Sequence, residues 1–155
     1  MLAPIIAAAA LMLAAQTPTT GPTTMQHARG TFDVTITPAQ PATGTAPDAP
    51  GRMTLSKVFQ GGLTGTATGE MLATMAPGAS GAYVAMERVN GALDGHAGSF
   101  ALVHRGLMDQ GAQDLVITIV PGSGTGALTG ITGVFHLAIE DGQHRYDLEY
   151  LLPQG

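Results

Sequence analysis

From Arg29 onward, hydrophobic and polar residues alternate with a period of two, β-branched and aromatic residues are enriched, and glycines punctuate the chain at short intervals. The pattern predicts eight strands, near Gly30 to Thr37, Arg52 to Gln60, Leu63 to Thr74, Ser80 to Gly91, His96 to Met108, Gln113 to Pro121, Gly133 to Glu140 and Gln143 to Leu152. No stretch carries a capped 3.6-residue amphipathic repeat, so helix is expected to be minor.

Two turns set registers. Asp141-Gly142 is a favoured hairpin pair and opposes Phe135 to Leu148 and Leu137 to Tyr146. One face of that hairpin is then almost wholly apolar, and the other carries His136, Asp147, Arg145 and Glu149, as expected of a hairpin covering a core on one side. Asp94-Gly95 gathers Tyr83, Ala85, Glu87, Val89, Phe100, Leu102 and His104 on one face and Val84, Met86, Arg88, Ala101, Val103 and Arg105 on the other. Both faces are partly apolar, so which of them lies inside stays open. Eight consecutive antiparallel strands without crossover helices leave two edges, and closing the sheet into a barrel removes both. Such a barrel has room for packed side chains or for one small ligand.

Before the strands lies an uncharged apolar run, Met1 to Ala15. It is shorter than the about 20 residues of a membrane span and reads as a signal peptide, which gives a periplasmic or secreted protein with no stable membrane span after processing. If the run is not a signal, the protein is cytoplasmic. Residues 16–27 are read as a disordered Thr/Pro-rich tether, and Pro38 to Gly51, with four prolines, as a flexible or lid-like loop within a barrel domain of residues 28–153.

Composition then narrows the chemistry. The chain has 155 residues, a formal net charge of -5 and only 6 Lys+Arg, so it has no electrostatic footprint for nucleic acid. It has no cysteine, which excludes disulfides, thiolate metal sites and a cysteine nucleophile. The histidines show no ligand spacing, so no metal and no cofactor is expected. The Gly122-Ser123-Gly124-Thr125-Gly126-Ala127 run superficially fits a dinucleotide fingerprint, but a strand-type segment follows it where a helix is required, so it reads as a barrel turn.

The motifs Gly30-Thr31-Phe32-Asp33-Val34, Gly69-Glu70-Met71-Leu72, Gly81-Ala82-Tyr83-Val84-Ala85-Met86-Glu87-Arg88-Val89, Gly98-Ser99-Phe100-Ala101-Leu102-Val103-His104, Val120-Pro121-Gly122-Ser123-Gly124-Thr125-Gly126-Ala127-Leu128-Thr129-Gly130 and Tyr146-Asp147-Leu148-Glu149-Tyr150 occur in that order. Together they resemble a bacterial family known as domain of unknown function thirty-two twenty-four, over about Ala28 to Pro153. The resemblance implies a single all-β, eight-stranded antiparallel barrel similar to that of plant allene oxide cyclase. It implies no activity. The plant enzyme's pocket pairs a carboxylate with an asparagine and a cysteine, whereas this chain lacks cysteine and its one asparagine, Asn90, sits beside a turn.

The chemistry-bearing group is Lys57, Tyr83, Glu87 and His104, whose ionisable members are all in phase with apolar neighbours. On a buried face such groups must be paired, hydrogen-bonded or neutralised. If that face lines the lumen, Glu87 acts as an acid or base with a raised pKa and His104 as its proton partner, the two catalytic candidates. Lys57 then contacts an anion or carbonyl, and Tyr83 donates a hydrogen bond. Glu70 joins as a further binding residue if Gly61-Gly62 is a tight turn that opposes it to Met53. The competing account is a structural Lys–Glu pair, or a snorkelling Lys57, beside a satisfied core histidine. The leading expectation is a barrel binding a small, largely apolar molecule, with methionines such as Met71, Met75, Met86 and Met108 filling the core or softening the pocket. Two alternatives stand beside it. One is a cofactor-independent isomerase or cyclase using Glu87 and His104. The other is a structural or interaction module with a filled core and an apolar outer patch around Val84, Met86 and Val103, forming a homo-oligomer.

Overall fold

The computed structural model describes residues 24–153. They form nine strands and no helix: β1 (Gln26–Pro38), β2 (Gly51–Gly61), β3 (Leu63–Ala76), β4 (Ser80–Leu93), β5 (His96–Asp109), β6 (Ala112–Ile119), β7 (Thr125–Gly126), β8 (Thr132–Glu140) and β9 (Gln143–Leu151). Each neighbouring pair is antiparallel, and the order β4-β3-β2-β1-β9-β8-β6-β5 closes through β5 pairing with β4. The result is the expected eight-stranded barrel with one extra strand, β7. Gln26 and His27, assigned from sequence to the tether, are the first residues of β1, where they pair with Tyr150 and Glu149. The apolar run Met1 to Ala15, read from sequence as a signal peptide, and residues 16–23 lie outside the described residues.

Both hairpin registers hold. Phe135 faces Leu148 and Leu137 faces Tyr146, while Glu87 faces Leu102 and Val89 faces Phe100. Asp94 and Gly95 have φ of 46° and 84°, and Asp141 and Gly142 have 51° and 77°. This left-handed pair suits the twist of the flanking strands, and Asp-Gly adopts it at low cost.

The face of the β4–β5 hairpin that carries Ala85, Glu87, Val89, Phe100, Leu102 and His104 is the inner one, and all six are buried. Val84, Met86 and Val103 point outward and are exposed, so Met86 fills no core. Outside, Met86 lies opposite Val103, Val103 opposite Thr118 and Thr118 opposite Val134, a mostly apolar row across four strands.

The β2–β3 connection departs from expectation. Its pairing runs Met53 with Met71 and Thr54 with Glu70, so the turn is centred on Gly62 and is one residue longer than a tight Gly61-Gly62 pair. Side chains alternate along a strand, so one residue of shift moves Glu70 from the lumen to the outer surface.

The barrel is packed at one end only. Leu63, Leu93, Phe100, Leu148 and Tyr150 fill the end that carries the β2–β3 and β4–β5 turns. The glycine-rich segment after β6 folds back over that end. Its β7 pairs with Gly98 and Ser99 of β5, and its Leu128 and Ile131 are buried as a plug. Gly124 passes so close to the Leu128 carbonyl that a Cβ would collide with it, which accounts for one glycine of the run. A layer of aromatic rings lies beside the plug: Phe135 stacks on Tyr146 at 5.3 Å, Phe59 meets Tyr146 edge-on at 5.8 Å, and Phe32 lies 5.4 Å from Phe59. The Tyr146 hydroxyl accepts from the Leu63 amide at 2.8 Å and donates to the Gln60 carbonyl at 3.1 Å, pinning β9 to the β2–β3 bend.

Candidate functional site

Beyond the aromatic layer the lumen residues become small or flexible. Ala73, Ala85 and Gly106 leave a cavity of about 480 Å3, open at the end that carries the β1–β2 and β8–β9 connections. Its wall is largely apolar, with Val34, Ile36, Leu55, Leu115 and Leu137 beside Met53, Met71, Met75 and Met108. The volume falls within the range of small-molecule sites, and four unbranched methionines let such a wall adapt to irregular shapes. A filled core, the expectation tied to a structural module, is therefore not what the lumen contains.

Polar groups converge at the inner end of this cavity. Lys57 donates to Glu87 Oε1 at 2.7 Å, and His104 Nε2 meets the same oxygen at 2.9 Å. The three residues sit on β2, β4 and β5. Lys57 must reach across β3 to Glu87, about 9–10 Å between strand axes two apart. It can do so because the lumen residues of β3 at that level are Ala67 and Gly69, which leave the path clear. Gly69 lies directly opposite Glu87, and a Cβ there would come within 2.7 Å of the Glu87 Cβ.

Lys57 and His104 border the cavity, whereas Glu87 lies behind them with a fully buried carboxylate. The Lys57 ammonium also sits 4.9 Å over the Phe32 ring and 5.9 Å from Phe135, a further stabilising contact for a desolvated cation.

Burial alone pushes the Glu87 carboxyl up, but the His104 hydrogen bond and the Lys57 charge outweigh it and hold the group below its ordinary value of 4.5. This corrects the expectation of a raised pKa. Alternation along β4 shows the burial of Glu87 but not the two partners that converge on one of its oxygens. Glu87 is therefore a carboxylate, which only accepts hydrogen bonds, so Nε2 of His104 carries the proton of that contact, and Nδ1 makes no hydrogen bond to the described residues. Among the described residues, Glu87 Oε2 is the one fully buried side-chain polar atom without a partner.

Tyr83 lines the outer part of the cavity. Its ring lies across Gly106, its partner on β5, where a Cβ would collide with it. Burial, then the Glu87 charge, push the phenol up, so it stays a neutral donor. Glu70 is not part of the site: it is exposed and accepts from Arg52 at 2.6 Å on the outer surface. Sequence reasoning missed His144, which borders the cavity with its ring 5.0 Å from that of Phe32. Its signal was present, since it alternates in phase with Tyr146 and Leu148. Among the described residues no three His, Asp or Glu side chains converge closely enough to hold a metal ion.

The family described as "Protein of unknown function (DUF3224)" matches residues 28–150. The chain belongs to the DUF3224 family. It is similar to a crystal structure of a protein with unknown function from that family, from Shewanella oneidensis MR-1. The identity is 40% and the TM-score 0.77, and the match covers 84% of this chain and 100% of that one. No curated protein matches the chain.

In this DUF3224 barrel, removing one partner of the buried trio leaves a charge uncompensated. Lys57→Met or Glu87→Leu alone is expected to cost about 3–5 kcal/mol, and the double variant less than either single one, read from urea midpoints at unchanged slope. The pH dependence follows from the lowered Glu87 value. The group stabilises the fold above 4.5, its ordinary value, and that contribution is lost as pH falls below 4.5. The acid limb of the stability profile should flatten in the double variant. An unchanged limb would remove Glu87 from this account.

Proposed function

We propose that this protein binds a small, largely apolar molecule in the open half of its barrel, with Lys57, His104, Tyr83 and His144 orienting the ligand's polar end. The observation that carries this reading is a cavity of about 480 Å3 whose apolar wall ends in a few convergent donors and acceptors. A proton-transfer enzyme is the second reading. It is supported by the Nδ1 atom that His104 has left after bonding Glu87, and it gives Glu87 the task of holding the imidazole rather than touching substrate.

The same reading puts the protein in the periplasm or outside the cell, on the strength of the apolar run Met1 to Ala15. Made in bacteria from the full sequence, the product is expected to begin at Gln16, and a mature protein retaining Met1 would contradict export.

Ligand capacity is testable with N-phenyl-1-naphthylamine, an apolar dye that brightens when it leaves water. One dye per barrel is expected. Ala73→Trp, which fills the cavity, should weaken binding roughly tenfold or more, about 1.4 kcal/mol. Met86→Gln, on the exposed outer row, should leave it unchanged. Equal dye binding by the Ala73→Trp variant would overturn the reading.

A further inference from the structure

Lys57 is the sole lysine of the chain. All five arginines lie outside the barrel, four of them in ion pairs with Asp147, Glu70, Asp114 and Glu140. The fold thus draws every surface cation of this kind from guanidinium groups, which cannot lose a proton at neutral pH, and keeps its one ammonium, which can, in the lumen. A pair serving packing alone would be replaceable by apolar residues at little cost. This one borders a ligand-sized space.

We propose that Lys57 captures an apolar aldehyde or ketone as an imine. The inference rests on the lumen being a ligand site and names the ligand's chemical class. Three features equip Lys57 for it. Its side chain is almost sealed from solvent, at 7% exposure, and borders a space with an apolar wall that suits the carbonyl compound's chain. Glu87 Oε1, 2.7 Å away and hydrogen-bonded to His104 as well, is a weak base that takes the ammonium's proton only transiently, as the amine attacks. The product keeps the charge balance of the site.

The amine adds to the carbonyl carbon, forming a C–N bond and a carbinolamine. The hydroxyl then leaves as water with the proton held by Glu87. Overall, the ammonium and the carbonyl compound give a protonated imine and one water, with no oxidant or reductant. The iminium remains the counter-ion of Glu87 and stays over the Phe32 ring, where the ammonium now lies 4.9 Å from the centroid.

The test treats the full chain with decanal and sodium cyanoborohydride, which fixes an imine as a decyl amine, and locates the adduct by peptide mass spectrometry. Lys57 and the N-terminal amine are the only aliphatic amines available, so the latter is an internal control. Labelling of Lys57 is expected on the order of 10²-fold faster than that of the N-terminal amine, the scale a positioned proton acceptor supplies. It should be lost in Lys57→Arg, which keeps the cation, and blocked in Ala73→Trp. Decanol, which forms no imine, is run in parallel as a competitor of N-phenyl-1-naphthylamine. If decanol displaces the dye but decanal leaves Lys57 unlabelled, or labels it no faster than the N-terminus, the imine is overturned and the binding reading stands. If decanol displaces nothing and the dye itself does not bind, both fall.

Discussion

One carboxylate oxygen organises the interior of this barrel. Glu87 Oε1 receives Lys57 from one side and His104 from the other, with the whole carboxylate removed from water. Taking these charges out of solvent costs several kcal/mol per ion, and only close contact among them offsets it. The surrounding design serves that contact: Gly69 lets β3 and β4 approach, Ala67 leaves Lys57 a path across β3, and the faces of Phe32 and Phe135 receive the ammonium. In return, the cavity gains two polar groups held at fixed positions.

Stability and vacancy are divided along the barrel axis. At one end, Tyr150, Phe100, Leu63, Leu93, Leu128 and Ile131 are essentially fully buried, and Tyr146 stitches β9 to the β2–β3 bend. At the other, alanine, glycine and methionine line the wall. The packed half is where most apolar area is buried, so the open half can stay hollow without loss of the fold.

Much of this was legible in the sequence. Alternation identified the strands, Asp141-Gly142 fixed the register of β8 with β9, and Asp94-Gly95 fixed the one that places Glu87, His104 and Tyr83 on one face. Lys57 was legible from its phase with Leu55 and Phe59. Glu70 was not, because its face depends on the length of a turn at Gly61 and Gly62 whose residues permit either count. The plug formed by Leu128 and Ile131 was hidden for a different reason: a glycine-rich segment states where a chain bends, not what it covers. Nor did local pattern reveal which half is hollow, since that follows from the sizes of side chains that become neighbours only after the strands are staggered around the barrel. His144 carried the right phase, but among apolar neighbours a lone histidine has no signature of its own.

Because the chain has a single lysine, a sample labelled with ¹⁵N-lysine reports on the central interaction without overlap. In a proton–nitrogen correlation spectrum tuned to ammonium groups, a lysine on the surface exchanges its protons with water too fast to be seen under conditions where a sealed, ion-paired one persists. One sharp ammonium signal is expected for Lys57, and it moves or vanishes in Glu87→Gln and in His104→Ala. A signal absent from the folded wild-type protein, or one indifferent to both substitutions, would contradict the claim that Glu87 holds Lys57 and His104 together at the floor of the cavity.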